Sequence, residues 1–238
     1  MSGVKIEALG DQAVVIAFGD EIDPEINRRV CALAERIRAA RLPAVFDVVP
    51  SFTAVGVHYL ADGVPLRRDE TPFDALVRLL RPLIDADDAS GGDEAGPVID
   101  IPVCYGGEYG PDLEEAARLC GITPDELVAL HQQPQPLRVY MIGFAPGAPY
   151  IGRHDARLAL PRRATPRVSV PAGTVAIANR QSVIYPFAAP GGWNLIGRTP
   201  LRLFDASRNP PGLLKPGTMV RFRAIDAARL EGWMEPAR

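Results

Sequence analysis

The sequence predicts an α+β protein in two parts: a small helix-on-sheet sandwich over residues 1–96, then a domain of many short strands over 97–238. Three observations carry this reading. Proline is unevenly spread, with six of the 24 before residue 97 and eighteen from Pro97 onward. The apolar pattern changes from helical spacing in the first part to short stretches broken by Gly and Pro after Leu137. Between the two, Asp85 to Gly96 reads DADDASGGDEAG, the acidic, small-residue composition of an exposed connection.

Taken in order, Val4 to Leu9 and Ala13 to Phe18 read as strands around the turn Gly10-Asp11. Pro24 to Arg41 places Ile26, Val30, Leu33 and Ile37 on one helical face, with Asp23 as N-cap and Pro24 at the first helical position. Ala44 to Val49 and Ala54 to Tyr59 follow as strands. Thr71-Pro72 opens a second helix whose apolar side is Phe73, Leu76, Val77, Leu80 and Leu83. The order ββαββα fits helices on one face of a mostly antiparallel sheet. In the second part, Val98 to Cys104 reads as a strand, and Pro111 to Cys120 and Pro124 to Gln132 as short helices, the latter with Thr123 and Glu126 in capping-box positions. From Leu137 the stretches RVYMIGF, RVSV, GTVAIA, SVIYPF, WNLIG, LRLF and MVRF point to a closed or nearly closed β-barrel or a sandwich.

Composition excludes several classes of function. The chain has 238 residues, 47% of them hydrophobic and 23% charged, the balance of an ordinary globular protein rather than a disordered one. No apolar run approaches the roughly 18 residues of a membrane span, and Met1 to Glu7 shows no leader, so no membrane partner and a cytoplasmic address are expected. A net charge of −3 gives no reason to expect nucleic acid. Cys31, Cys104 and Cys120 are widely spaced and read as reduced thiols, with Cys104 a buried strand residue. There is no GxGxxG, GxxxxGK[ST], GxSxG or HExxH, and His58, His131 and His154 stand apart, so no bound metal is implied. Lys5 and Lys215 are the only lysines, which leaves phosphate-gripping schemes almost without candidates. Residues 153–208, by contrast, hold nine arginines against Asp155 and Asp205, a segment suited to an anion.

The informative stretch is Tyr140 to Phe204. Gly143, Gly147 and Gly152, with Pro146 and Pro149, define an irregular loop that lets a ligand approach the main chain. Pro190-Gly191-Gly192-Trp193 repeats the device with an aromatic attached. Between them PRRATPR sets Arg162, Arg163 and Arg167 in a proline-stiffened segment able to grip carboxylate or phosphate. The candidates are His131 as general base; Arg163 and Arg167 as anion binders; Gln181 and Tyr185 as an amide and a phenol for a polar ligand; Phe144 and Trp193 as platforms; and Gly147 and Gly192 as places where backbone comes close. Each has a bland counterpart: a histidine bridging the junction, solvent-exposed arginines, satisfied barrel residues, core aromatics and turn glycines.

These residues resemble the carboxyltransferase subdomain C/D family, also described as allophanate hydrolase subunit 1 or KipI-like, which includes the B subunit of bacterial ATP-dependent 5-oxoprolinase. The resemblance rests on IPVCYGGEYGPDL from Ile101, His131, YMIGFAPG from Tyr140, PRRATPR from Pro161, VPAGTVAIA from Val170 and APGGWNLIGRTPLRLF from Ala189, with LGDQAVVI and VVPSFTAVGV in the first part. It implies a small N-terminal domain followed by a cyclophilin-like β-barrel, and a second carboxyltransferase-type subunit as partner in a hetero-oligomer. The implied activity is ATP-dependent opening of 5-oxoproline to glutamate, or action on a related amide, with ATP and its Mg the only cofactor. Two alternatives come with it: a KipI-like inhibitor of a sensor histidine kinase, or the carboxyltransferase component of an allophanate or urea amidolyase-type system. Where the family reads PGFPYLGGLD this chain reads PGAPYIGRHD, so Ala148, Arg153 and His154 are expected to reshape the ligand site toward a different or more anionic ligand. Asn179-Arg180 likewise stands where the family is glycine-rich.

Overall fold

The computed structural model describes residues 4–86 and 97–234. The chain divides into two compact units, one within residues 1–94 and the other within 95–238. Most of the acidic connection read over 85–96 lies outside the described residues.

In the first unit, β1 (Lys5–Ala8), β2 (Ala13–Ala17), β3 (Val45–Pro50) and β4 (Ala54–Tyr59) form an antiparallel sheet in the order β1-β2-β4-β3. Helix α1 (Pro24–Ala40) starts where expected, because the Asp23 carboxylate accepts from the backbone N–H groups of Glu25 and Ile26. Thr71 does the same for α2 (Pro72–Asp85), accepting from Asp74 N. The helices lay Val30, Leu33, Ile37, Leu76 and Leu80 on Val14, Ile16, Val48, Val55 and Val57 of the sheet, a core with almost no exposed area. Asn27 on α1 is fully buried and donates its amide to the carbonyls of Ser51 and Phe52, fixing the helix on the β3–β4 turn.

The second unit is a closed barrel. Its strands are β5 (Ile99–Tyr105), β6 (Leu137–Ile142), β7 (Pro149–Gly152), β9 (Thr174–Ala178), β10 (Gln181–Ile184), β12 (Asn194–Arg198) and β13 (Met219–Ala224), in the order β10-β7-β6-β13-β5-β12-β9. Inward positions follow the two-residue period: Ile101 and Val103, Val175 and Ile177, Val220 and Phe222 fill the interior. Helices α3 (Leu113–Cys120) and α4 (Pro124–His131) lie between β5 and β6 in sequence and add Leu113, Ala116, Ala117 and Leu127 to the same core. The capping box at Thr123 and Glu126 is formed.

Three local expectations differ. RVSV is not a barrel strand: among the described residues β8 (Arg167–Val170) pairs only with β11 (Ala189–Gly191), a short strand that the apolar stretches did not include. LRLF is not a strand either, and Phe204 makes a single bridge to Gly212. The reason is chemical, since Pro200, Pro210 and Pro211 remove the N–H groups that a ladder would need. A helix that the apolar pattern did not announce, α5 (Ala227–Met234), follows β13 and buries Leu230. Among the described residues no helix is long and apolar enough to cross a membrane.

Candidate functional site

The arginine segment connects a short 3-10 turn at Ala156–Leu158 to β8. Arg163 is pinned at its backbone, where its N–H donates to Gly192 O at 2.7 Å. Its side chain and that of Arg167 turn toward one carboxylate. Arg167 donates through Nη1 and Nη2 to the two oxygens of Asp112 at 2.8 and 2.7 Å, a bidentate pair, and Arg163 Nη1 reaches Asp112 at 3.1 Å and Glu115 at 3.3 Å. Asp112 is only 4% exposed and also accepts from Leu195 N at 2.8 Å, so it ties the start of α3, the arginine segment and β12 together. The two arginines read from the sequence as holders of an external anion are therefore held by an internal one. Arg162 behaves differently. It is exposed, has no carboxylate partner among the described residues, and its guanidinium lies 5.0 Å over the Trp193 ring.

Trp193 opens a run of aromatic contacts. Its indole, 5% exposed, meets Tyr150 edge to face with centroids 5.9 Å apart, and Tyr150 in turn meets Phe144 at 5.5 Å. Phe144 is 90% exposed. Its φ of +64° places a bulky side chain in the left-handed region, an uncommon conformation that the Gly143–Ala148 loop enforces through Gly143 N donating to Ala148 O at 3.1 Å. Tyr185 follows β10 and packs on Gly191, where an added Cβ would sit 2.0 Å from the phenol oxygen. Burial raises the pKa of both the Tyr150 and the Tyr185 phenol, and the charge of Arg162 partly opposes each shift. Both phenols are neutral hydrogen-bond donors at neutral pH. Gly147 is pressed against Leu203 and Phe204, where a Cβ would come within 2.7 Å of Phe204 Cβ. Gln181 shares the outward side of β10 with Val183, by the alternation that turns Ile184 into the core.

His131 is elsewhere, in the barrel interior. It ends α4 with no exposed area, its Nδ1 2.7 Å from the Tyr105 hydroxyl and its Nε2 2.8 Å from Ser182 Oγ. The same Oγ lies 2.7 Å from His154 Nε2. Ser182 has one hydroxyl proton for two imidazoles, so it donates to one and accepts from the other. His154 Nδ1 is buried without a hydrogen-bond partner among the described residues. The two rings stack at 4.7 Å beside Phe222. Loss of water drives the His131 pKa well below its ordinary value and that of His154 to about 3, so both imidazoles are neutral.

The structure thus brings Phe144, Tyr185, Gly192, Trp193, Arg163 and Arg167 into one neighbourhood and puts His131 inside the barrel, sealed from water. The expectation that His154 adds a donor to a ligand site is corrected, because His154 is buried and faces the interior serine; Arg153 is exposed. Sequence reading missed Asp112, Tyr150, Tyr105 and Ser182. Asp112 had a signal in its place inside the GGEYGPDL stretch, while Ser182 could have been found from the period of β10, which sends it inward with Ile184. Among the described residues no cluster of His, Cys, Asp and Glu could hold a metal ion.

The family described as carboxyltransferase domain, subdomain C and D, matches residues 4–214. The chain belongs to this family. Within it, the chain is 40% identical over 239 residues to the 5-oxoprolinase B subunit of Bacillus subtilis (strain 168), with 97% of each chain covered. It is 38% identical over 223 residues to the 5-oxoprolinase B subunit of Escherichia coli O157:H7, covering 93% of this chain and 96% of the other. Among solved structures, TTHA0988 superposes with a TM-score of 0.76 at 38% identity over 91% of this chain, which spans 40% of that larger protein. The family match takes in residues of both units, the N-terminal sandwich and most of the barrel.

Proposed function

We propose that this chain is the B-type component of a multi-subunit amidohydrolase that opens 5-oxoproline to glutamate at the expense of ATP. The observation that supports it most is the 40% identity to a 5-oxoprolinase B subunit across 97% of both chains. A second carboxyltransferase-type subunit completes the complex in this reading. The cytoplasm is its compartment, in keeping with three free cysteines.

The chemistry suits the barrel face. A lactam is a poor electrophile, and phosphorylation of its oxygen turns that oxygen into a leaving group; neutral phenols and a guanidinium can hold such a substrate by hydrogen bonds and charge. ATP fits the face less well. A triphosphate calls for several cations and a glycine-rich backbone cradle, while two of the three segment arginines are already neutralised by Asp112 and Glu115. We assign the triphosphate to another subunit. ADP release tests the reading. With the purified chain and its partner subunits, 5-oxoproline should stimulate ATP turnover, and omission of this chain should abolish the stimulation. A complex that turns over ATP and opens 5-oxoproline equally well without this chain overturns the proposal.

A further inference from the structure

Three arginines stand in PRRATPR, and only one has its charge uncompensated. Arg163 and Arg167 face Asp112 and Glu115, whereas Arg162 has neither ion pair nor hydrogen bond to the described residues and projects into solvent. It is not adrift. Its guanidinium carbon lies 5.0 Å over an indole that is itself held edge to face by Tyr150, a cation–π contact that favours this placement before any ligand arrives. A cation–π contact uses none of the guanidinium N–H groups as hydrogen-bond donors to a carboxylate, so they stay available for one to take bidentately. Beyond Tyr150, Phe144 presents an apolar ring to solvent from a left-handed backbone conformation that a phenylalanine rarely adopts. An exposed cation and an exposed ring at the two ends of one aromatic run call for a ligand that carries a negative charge and a flat apolar part.

We infer that Arg162 grips the carboxylate of a small ring-shaped monoanion whose ring packs against the exposed Phe144 at the edge of buried Tyr150, and that Arg162, rather than Arg163 or Arg167, decides substrate charge. One guanidinium matches one carboxylate; a nucleotide triphosphate would leave several charges without partners. The Tyr185 phenol, which packs on Gly191 two residues before Trp193, supplies a donor to a ring carbonyl. The inference rests on the functional reading above for its first probe, 5-oxoproline, which joins a lactam ring to one carboxylate.

The test uses the full chain carrying Trp233→Phe, which leaves Trp193 as the only tryptophan. Trp193 emission is titrated with 5-oxoproline, with 2-pyrrolidinone, the same lactam without the carboxylate, and with benzoate, a flat ring carboxylate without the lactam. The expected result is a saturable shift with 5-oxoproline, at least tenfold weaker binding of 2-pyrrolidinone, and at least tenfold weaker binding of 5-oxoproline after Arg162→Gln at unchanged circular dichroism. Arg162→Lys should recover part of the loss. Equal binding by Arg162→Gln, equal binding of 2-pyrrolidinone, or no saturable shift with either carboxylate overturns the inference. Benzoate binding through Arg162 without 5-oxoproline binding keeps the carboxylate site and removes the 5-oxoproline reading. Unchanged 5-oxoproline-stimulated ADP release in a complex carrying Arg162→Gln overturns the role of Arg162 and leaves the 5-oxoproline reading standing.

Discussion

A buried imidazole that stays neutral makes stability depend on pH, and this barrel holds two. Unfolded, each histidine takes up a proton near pH 6.5; folded, His154 is held at about 3 and His131 well below its ordinary range by loss of water. Above pH 6.5 both states are neutral and the histidines favour neither. As the pH falls below that value the unfolded chain binds protons that the barrel refuses, so stability drops by about 1.4 kcal/mol per pH unit for each histidine until the folded pKa is reached. Between pH 7 and pH 5 the pair should cost about 4 kcal/mol, read by urea unfolding followed through Trp193 fluorescence. His131→Gln should roughly halve that pH slope, and a barrel equally stable at both pH values would show that the pair titrates in the folded state. At this scale the sequence was partly legible. His131 stood out as a side chain titrating near neutrality, but its partners lie 26 and 51 residues away, at Tyr105 and Ser182, on strands that only the closed barrel brings to it. Arg163 and Arg167 likewise read as anion holders because the carboxylate that satisfies them sits 51 and 55 residues upstream.

At the scale of elements the local signals were strong wherever a backbone group had to be satisfied nearby. Asp23 and Thr123 begin helices where their side chains reach orphan N–H groups, and these starts were readable residue by residue. The turn between β9 and β10 was harder. Asn179 and Arg180 both take left-handed φ values, 49° and 63°, where glycine is the usual choice, and Arg180 secures the bend by donating Nε to His154 O at 3.0 Å. The segment from β5 to α3 shows the opposite constraint. A Cβ on Gly110 would lie 2.1 Å from Ile196 O, 2.3 Å from its carbonyl carbon and 2.6 Å from Gly106 N, all backbone atoms of the barrel wall that cannot swing aside. Gly110→Ala should therefore destabilise by about 3 kcal/mol or more and loosen Asp112, two residues on, from its arginines. Gly232 in α5 has open space around its Cα, and the same change there should stabilise slightly, by up to about 1 kcal/mol. Thermal melts of the two variants, moving in opposite directions, check the contrast; similar melting temperatures would mean that the β12 backbone yields.

For the molecule as a whole, two separate cores account for the two parts that proline distribution and apolar period already divided in the sequence. One core is built from residues of the first unit alone, and the other from the barrel and its helices alone. What local pattern could not reveal is how the barrel closes. Six of its strands lie between residues 99 and 198, and the seventh, β13, comes only after a proline-rich passage that makes no ladder. It inserts parallel to β5, with Val220 opposite Ile99 and Ala224 opposite Val103, and antiparallel to β6, so both neighbours depend on it for hydrogen bonds. Parallel neighbours far apart in sequence carry no turn signal, which is why MVRF read as a strand but not as the closing one. The family match itself ends at residue 214, before β13 begins. A chain stopped after Thr218 would keep every residue of the aromatic and arginine face yet leave β5 and β6 with open edges, and would lose Val220 and Phe222, which are 0% and 1% exposed in the core. That loss is comparable to the whole stability of a typical domain, about 5–15 kcal/mol. The truncated chain should therefore aggregate or show no cooperative unfolding of the barrel in calorimetry, whereas a soluble form with the native Trp193 emission would prove that β13 lines the barrel without closing it.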